Sequence, residues 1–173
     1  KPVGKLHPWY RGFIGNIDQI SPKSYLSRGR YEILNNYDIR IFELPIGMWT
    51  EKYIEFLDKI TIERGQQDKK HYIRSYIDHS TESSVDITIK MHANTLAKMK
   101  IKPVKDDLNG IEKMFKLTSK INTTNMWLFD TKSIIHKYNN AEEILDEWIP
   151  YKRQLYVKRK AYILKKLKKE LDI

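Results

Sequence analysis

A two-residue alternation runs through the chain between Ser24 and Leu44, and it predicts a hairpin before any other element is considered. Tyr25, Tyr31 and Ile33 fall on one face of an extended Ser24–Leu34 segment, with Arg28, Arg30 and Glu32 on the other. Tyr37 to Leu44 reads as the partner strand. With a three-residue loop of Asn35, Asn36 and Tyr37, Ile33 faces Ile39, Tyr31 faces Ile41 and Glu32 faces Arg40, so apolar meets apolar and acid meets base. A two-residue Asn35-Asn36 turn sets Ile33 against Asp38, a poorer match. In the preferred register Arg28, Arg30 and Arg40 share a solvent face, either a phosphate-facing ladder or an ordinary polar sheet face.

Beyond this hairpin, Pro45 and Gly47 stop the strand. Thr50 offers an N-cap with Trp49 and Ile54 as a hydrophobic staple, and Tyr53, Ile54, Leu57 and Ile60 recur at helical spacing toward Arg64 and the stop at Gly65. Strands are expected over Tyr72–His79 and Val85–Met91, and short helices over Thr95–Lys100 and about Leu108–Met114. Extended pieces are expected over Phe115–Leu117 and Met126–Phe129. Asn140 and Glu143 begin a capped helix with Ala141, Ile144, Leu145 and Trp148 as its apolar stripe. Pro150 predicts a kink or a fresh start, because proline removes an interior hydrogen bond. The segment to Leu171 is basic, with Val157, Leu164 and Leu171 seven apart and Leu167 between, enough to begin a coiled-coil arm but too short to establish one. The fold class is α+β: a mixed or antiparallel sheet with packed helices and a long basic C-terminal helix, divided as 1–139 and 140–173.

The chain has 173 residues and a formal charge of +10, large enough for one such domain with a core and a projecting element. No run approaches the roughly 18 apolar residues that span a bilayer, so a soluble chain without a membrane partner is expected. Lys1 stands where Met would open a reading frame, which suggests an excised segment. There is no cysteine, so disulfides and thiolate chemistry are excluded. Charge concentrates at the ends. Residues 1–30 carry six Lys or Arg against one acid, residues 31–150 seventeen against nineteen, and residues 151–173 nine against two. Such ends suit a polyanion, though a basic helix face can equally be solvated surface.

Candidate chemistry is sparse. His7, His71, His79, His92 and His136 lack the short spacings of metal ligands, and the adjacent Asp106 and Asp107 point apart, so no metal site is expected. No GxxxxGKS or GxGxxG phosphate loop occurs. Tyr10, Tyr25, Tyr31, Tyr53 and Tyr156 lie in core-like patterns, and none stands out as a nucleophile. Trp9, Trp49, Trp127 and Trp148 read as core anchors rather than base-stacking platforms.

Five patches carry a family likeness. HPWYRGFIGNI (7–17), IFELPIGMWTEKY (41–53), FKLTSKINTTNMWLFD (115–130), KYNNAEEIL (137–145) and YVKRK (156–160) resemble, in order and spacing, the tower or shoulder of eukaryotic- and viral-type type IIA DNA topoisomerases and the start of the arm toward the C-gate. Pro150 departs from that pattern, and the family's arm arginine aligns with Lys152 while Arg153 is shifted by one. The resemblance implies a DNA-bracing, non-catalytic segment of an ATP-dependent enzyme that passes one duplex through a transient double-strand break. It also implies that the catalytic tyrosine, the Mg²⁺ site and the ATP site lie outside these residues, so that the isolated chain is inactive and needs no cofactor. Its implied partners are double-stranded DNA, the rest of the topoisomerase chain and a second copy in a homodimer. Its implied location is the nucleus for a cellular eukaryote, or host cytoplasm or a viral factory for a large DNA virus. With the basic ends, the resemblance makes Lys5, Arg11, Arg28, Arg30, Arg40, Lys152, Arg153, Arg159 and Lys160 the candidate DNA contacts. A free-standing basic nucleic-acid-binding module is the alternative, and a purely structural or dimer-linking piece a third.

Overall fold

In the computed structural model, residues 4, 6–61, 73–92, 95–96 and 109–172 are described. Nine strands and three helices follow along them: β1 (Asn16–Ser21), β2 (Ser24–Arg28), β3 (Arg30–Ile33), β4 (Asp38–Glu43), α1 (Thr50–Ile60), β5 (Ile73–Asp78), β6 (Ile87–Met91), α2 (Gly110–Met114), β7 (Thr118–Asn122), β8 (Trp127–Phe129), β9 (Ile135–Lys137) and α3 (Ala141–Leu171). This is the α+β class expected, with antiparallel pairing and a long last helix.

The hairpin register is the one drawn from the sequence. Tyr31 pairs with Ile41, Glu32 with Arg40 and Ile33 with Ile39. The loop is held by Asn35, whose Oδ1 accepts from the backbone N–H groups of Tyr37 and Asp38 at 2.7 and 2.8 Å, the side-chain turn that makes asparagine useful there. What the alternation does not reveal is the break at Gly29. The Ser24–Leu34 segment is two strands, not one, and they belong to different sheets: β1-β2-β7 and β3-β4-β6-β5. A Cβ on Gly29 would sit 2.4 Å from the Glu43 carbonyl oxygen, so only glycine lets the chain cross there. Tyr25, Leu26 and Ser27 are all buried, covered on both faces of β2.

Ile39, Ile41, Ile87, Ile89 and Met91 turn one face of the second sheet toward Tyr53 and Leu57 of α1 and Ile111 of α2, with Phe115 and Leu117. Tyr53 is fully buried and its hydroxyl donates to the Phe115 carbonyl at 2.8 Å. Helix α1 differs from expectation at both ends. Trp49 is the N-cap, without a side-chain cap bond, and it is 73% exposed, so no staple forms. The helix ends at Ile60 because Thr61 turns extended and bridges Ile73. Phe115–Leu117 is not a strand either. It ends α2: Lys116 takes the left-handed φ of 50°, the Leu117 N–H reaches the Glu112 carbonyl at 2.9 Å, and the strand starts at Thr118. Of the expected Thr95–Lys100 helix, Thr95 and Leu96 are helical and the rest lies outside the described residues.

Contacts divide the chain into one unit of residues 9–121 and another of residues 1–8 with 122–173. The sequence boundary at 139/140 follows composition, whereas residues 122–139 associate with α3. In this unit β8 and β9 form a two-stranded hairpin, and the Tyr138 hydroxyl donates to Glu147 of α3 at 2.7 Å. Asn140 caps α3 as expected, its Oδ1 accepting from the Glu143 N–H at 2.8 Å, while Glu143 reaches back to the N–H of Asn139. The helix runs through Pro150 without restarting, so the Asp146 carbonyl loses its usual donor inside a continuous 31-residue helix. No residue of α3 is buried.

Candidate nucleic-acid interface

The nine candidate cations have three different environments. Lys5 lies outside the described residues. Arg28 and Arg40 are engaged by acids. Arg28 sits at the end of β2, where its Nε donates to Asp18 of β1 at 2.9 Å and its Nη1 to Glu112 of α2 at 2.7 Å, with only 17% of its side chain exposed. Burial opposes its charge, but the bonds to the two carboxylates outweigh this and raise its pKa. Arg40 grips Asp86 through two bonds, Nε to Oδ1 at 2.7 Å and Nη2 to Oδ2 at 2.8 Å. That pairing raises the Arg40 pKa and holds the Asp86 carboxyl below its ordinary value.

The expected ladder of Arg28, Arg30 and Arg40 is therefore not formed. The break at Gly29 puts Arg28 in another sheet from Arg30 and Arg40, and two of the three guanidinium groups already have carboxylate partners. Arg30 is exposed at the start of β3, and Arg11 is exposed in the turn before β1, which Gly12 closes with φ of 80°.

The four cations of α3 are different. Arg153, Arg159 and Lys160 are exposed, and Lys152 lies over the rings of Trp148 and Tyr156 at 5.4 and 5.7 Å, one turn before and after it. Among the described residues of this half-helix the ion pair present is Lys166 with Glu170 at 3.7 Å. At 100° per residue, Lys152, Arg153, Lys158, Lys165 and Lys168 point around the whole circumference, so positive charge faces every direction. The apolar residues Val157, Leu164, Leu167 and Leu171 are interleaved with them and exposed.

The aromatic expectations are reversed in part. Trp9, Trp49, Trp127 and Trp148 are 76, 73, 54 and 47% exposed, so none is a core anchor. Tyr10 and Tyr156 are exposed too, while Tyr25 and Tyr53 are buried as expected. Residue type promised burial, but each tryptophan sits beside a cap, turn or edge. The Tyr53 hydroxyl is held neutral, burial pushing its pKa well up, which disfavours phenolate chemistry there. Among the described residues no group of three or more His, Asp or Glu is arranged to hold a metal ion, and no helix is long and apolar enough to cross a membrane.

One cationic feature escapes sequence reasoning. Ile73 pairs with Met91 and Ser75 with Lys90, so Arg74 is an extra residue in β5, a bulge. Alternation alone would place Tyr76 on the open face of the sheet, yet Tyr76 pairs with buried Ile89 and bonds Asp58 of α1. The bulge moves both Arg74 and Ser75 to the open side, beside Lys90. Its one signal is the IRSYID order, in which the large apolar residues stop alternating at Arg74-Ser75.

Comparison with known proteins agrees with these features along the full length. The family model for DNA gyrase and topoisomerase IV matches residues 2–173. DNA topoisomerase 2 of Plasmodium falciparum is 36% identical over 174 residues, covering 100% of this chain and 12% of that protein. The Arabidopsis thaliana protein of the same name is 37% identical, with 96% and 11% covered, and that of Acanthamoeba polyphaga mimivirus 28% identical, with 97% and 17% covered. The crystal structure of the Plasmodium falciparum topoisomerase II DNA-binding, cleavage and re-ligation domain superposes with a TM-score of 0.78 at 36% identity, covering 94% of this chain and 21% of that one. The chain thus spans between 11% and 17% of the length of these relatives. On the ordered motifs, the α+β fold and these matches, the chain belongs to the DNA gyrase/topoisomerase IV family, in its type IIA topoisomerase 2 form.

Proposed function

We propose that the chain is a DNA-bracing, non-catalytic tower segment of an ATP-dependent type II topoisomerase, and that α3 opens its coiled-coil arm. The observation that carries this reading is the second half of α3, where nine Lys or Arg oppose two acids on an exposed helix. Cations without carboxylate partners release counterions when they meet phosphates, which supplies affinity without sequence preference. Bending a duplex of 20–30 base pairs costs on the order of 1–6 kcal/mol, and distributed backbone contacts offset it. The exposed Val157, Leu164, Leu167 and Leu171 suit a second helix of the parent enzyme.

The donor set here does not fit the parent's Mg²⁺ or ATP. No carboxylate cluster is gathered among the described residues and no glycine-rich phosphate loop occurs in the sequence. Those groups, the catalytic tyrosine and the homodimer contacts belong to other parts of the polypeptide, which acts in the nucleus or, for a large DNA virus, in a viral factory or the host cytoplasm. The test uses the 173-residue chain. It should bind a 30-base-pair duplex with affinity that falls steeply between about 50 and 200 mM salt, and leave supercoiled plasmid unchanged with Mg²⁺ and ATP present. Relaxation or nicking of the plasmid by the purified chain would refute the non-catalytic role, and salt-independent binding would refute phosphate bracing.

A further inference from the structure

We infer that the unit of residues 9–121 carries its own phosphodiester-binding crevice, built by the bulge in β5 and separate from the cations of α3. The crevice, of about 610 Å³, opens at one end of the second sheet and is lined by Tyr37, Asp38, Arg74, Ser75, Lys90 and His92. Its cations arrive from two adjacent strands. Lys90 lies in the middle of a cross-strand row with Asp38 on one side and Ser75 on the other. The bulge adds Arg74 to the same side of the sheet, where strict alternation would leave one cation rather than two. His92 follows Met91, whose N–H donates to the Tyr37 carbonyl at 2.7 Å and so carries the β4–β6 ladder on to the crevice.

Pairing separates this cluster from the other strand-borne cations. Arg28 and Arg40 are each held by carboxylates at 2.7 to 2.9 Å, which commits them to the fold. Arg74, Lys90 and His92 have no ion pair among the described residues. The acid in the lining, Asp38, has its Oδ2 bonded by Asn35 Nδ2 at 2.9 Å, within the hairpin turn. A guanidinium and an ammonium side by side, with a serine hydroxyl and a tyrosine at the rim, make a forked and a point donor for a bridging phosphate. The crevice contains no base-reading amide pair, so it takes the backbone of a nucleic acid and not its sequence.

This inference rests on the DNA-bracing reading and is tested beside it. Affinity of the chain for a 30-base-pair duplex is measured by fluorescence anisotropy from 50 to 200 mM KCl for the wild type, R74E/K90E, R74Q/K90Q and the control K23E/K120E. The control changes the net charge as much as R74E/K90E does, at exposed lysines outside the crevice. R74E/K90E should weaken binding at least tenfold, and R74Q/K90Q should lower the slope of log affinity against log salt by about 2, one for each lost phosphate contact. K23E/K120E should cost less than threefold. Unchanged melting temperatures in the glutamine pair keep loss of fold apart from loss of contact. Equal weakening in R74E/K90E and the control, or an unchanged slope in R74Q/K90Q, would overturn the crevice while leaving the bracing reading intact. Failure of the wild type to bind at all would overturn the bracing reading, and the crevice with it.

Discussion

Arg28 ties three elements together, and its geometry says what it is for. One guanidinium reaches Asp18 on β1 and Glu112 on α2, and the same Glu112 oxygen accepts from the Asn109 N–H at 3.1 Å in the capping box of α2. Removing the arginine leaves a carboxylate that is only 8% exposed without its cation. R28A should therefore cost about 2–3 kcal/mol in urea unfolding. R28K should recover under half of that, because an ammonium cannot span both acids. A cost below about 0.5 kcal/mol would show the pair to be ornamental. Tyr76 supplies a pH signature. Its hydroxyl bonds Asp58 at 2.5 Å, and that bond, with burial, pushes its pKa up to about 12. Since the folded value is raised above the ordinary 10.0, the contribution is full below pH 10 and fades as pH rises toward 12. Melting temperatures of wild type and Y76F should differ at pH 8 and converge by pH 12. A gap that stays constant across that range would refute the assignment.

At the scale of elements, the hairpin register was legible because side-chain matching across two strands is local information, with Glu32 opposite Arg40 and Ile33 opposite Ile39. The transfer of the chain from one sheet to another at Gly29 was not legible. It is decided by a backbone approach to Glu43, more than ten residues away. The bulge at Arg74 and the left-handed Lys116 are similar, set by what packs against α1 and α2 rather than by the residues themselves. β1 and β9 went unseen for a related reason. Ile17 and Ile20 break alternation, and β9 is three residues long. Pro150 shows that local information can also mislead, since it forecast a kink or restart inside what is one helix. In a helix interior proline is worse than alanine by about 3 kcal/mol. P150A should raise helicity at 222 nm and the melting temperature of the unit that holds α3. Unchanged helicity would mean that the turn around Pro150 already satisfies its carbonyls in another way.

For the whole molecule, the candidate interface was half legible. Charge segregation to the chain's end was visible in composition, and α3 carries that charge in the open. The strand arginines looked equivalent in sequence and are not, because pairing with Asp18, Asp86 and Glu112 depends on contacts between distant segments. A cation that is locked to a carboxylate adds rigidity, and one that is free adds affinity. These two roles separate experimentally. R153Q/R159Q/K160Q removes three exposed charges of α3 without touching a buried contact, so unfolding should change by less than about 0.5 kcal/mol. The same variant should lower the salt slope of duplex binding by up to about 3 and weaken all duplexes alike, because phosphate contacts carry no sequence information. R28A should do the reverse, lowering stability while leaving the salt slope of the folded chain unchanged. If instead R28A lowers the slope and the α3 variant does not, the paired arginine would be the DNA contact. The ion pairs would then have to open on binding.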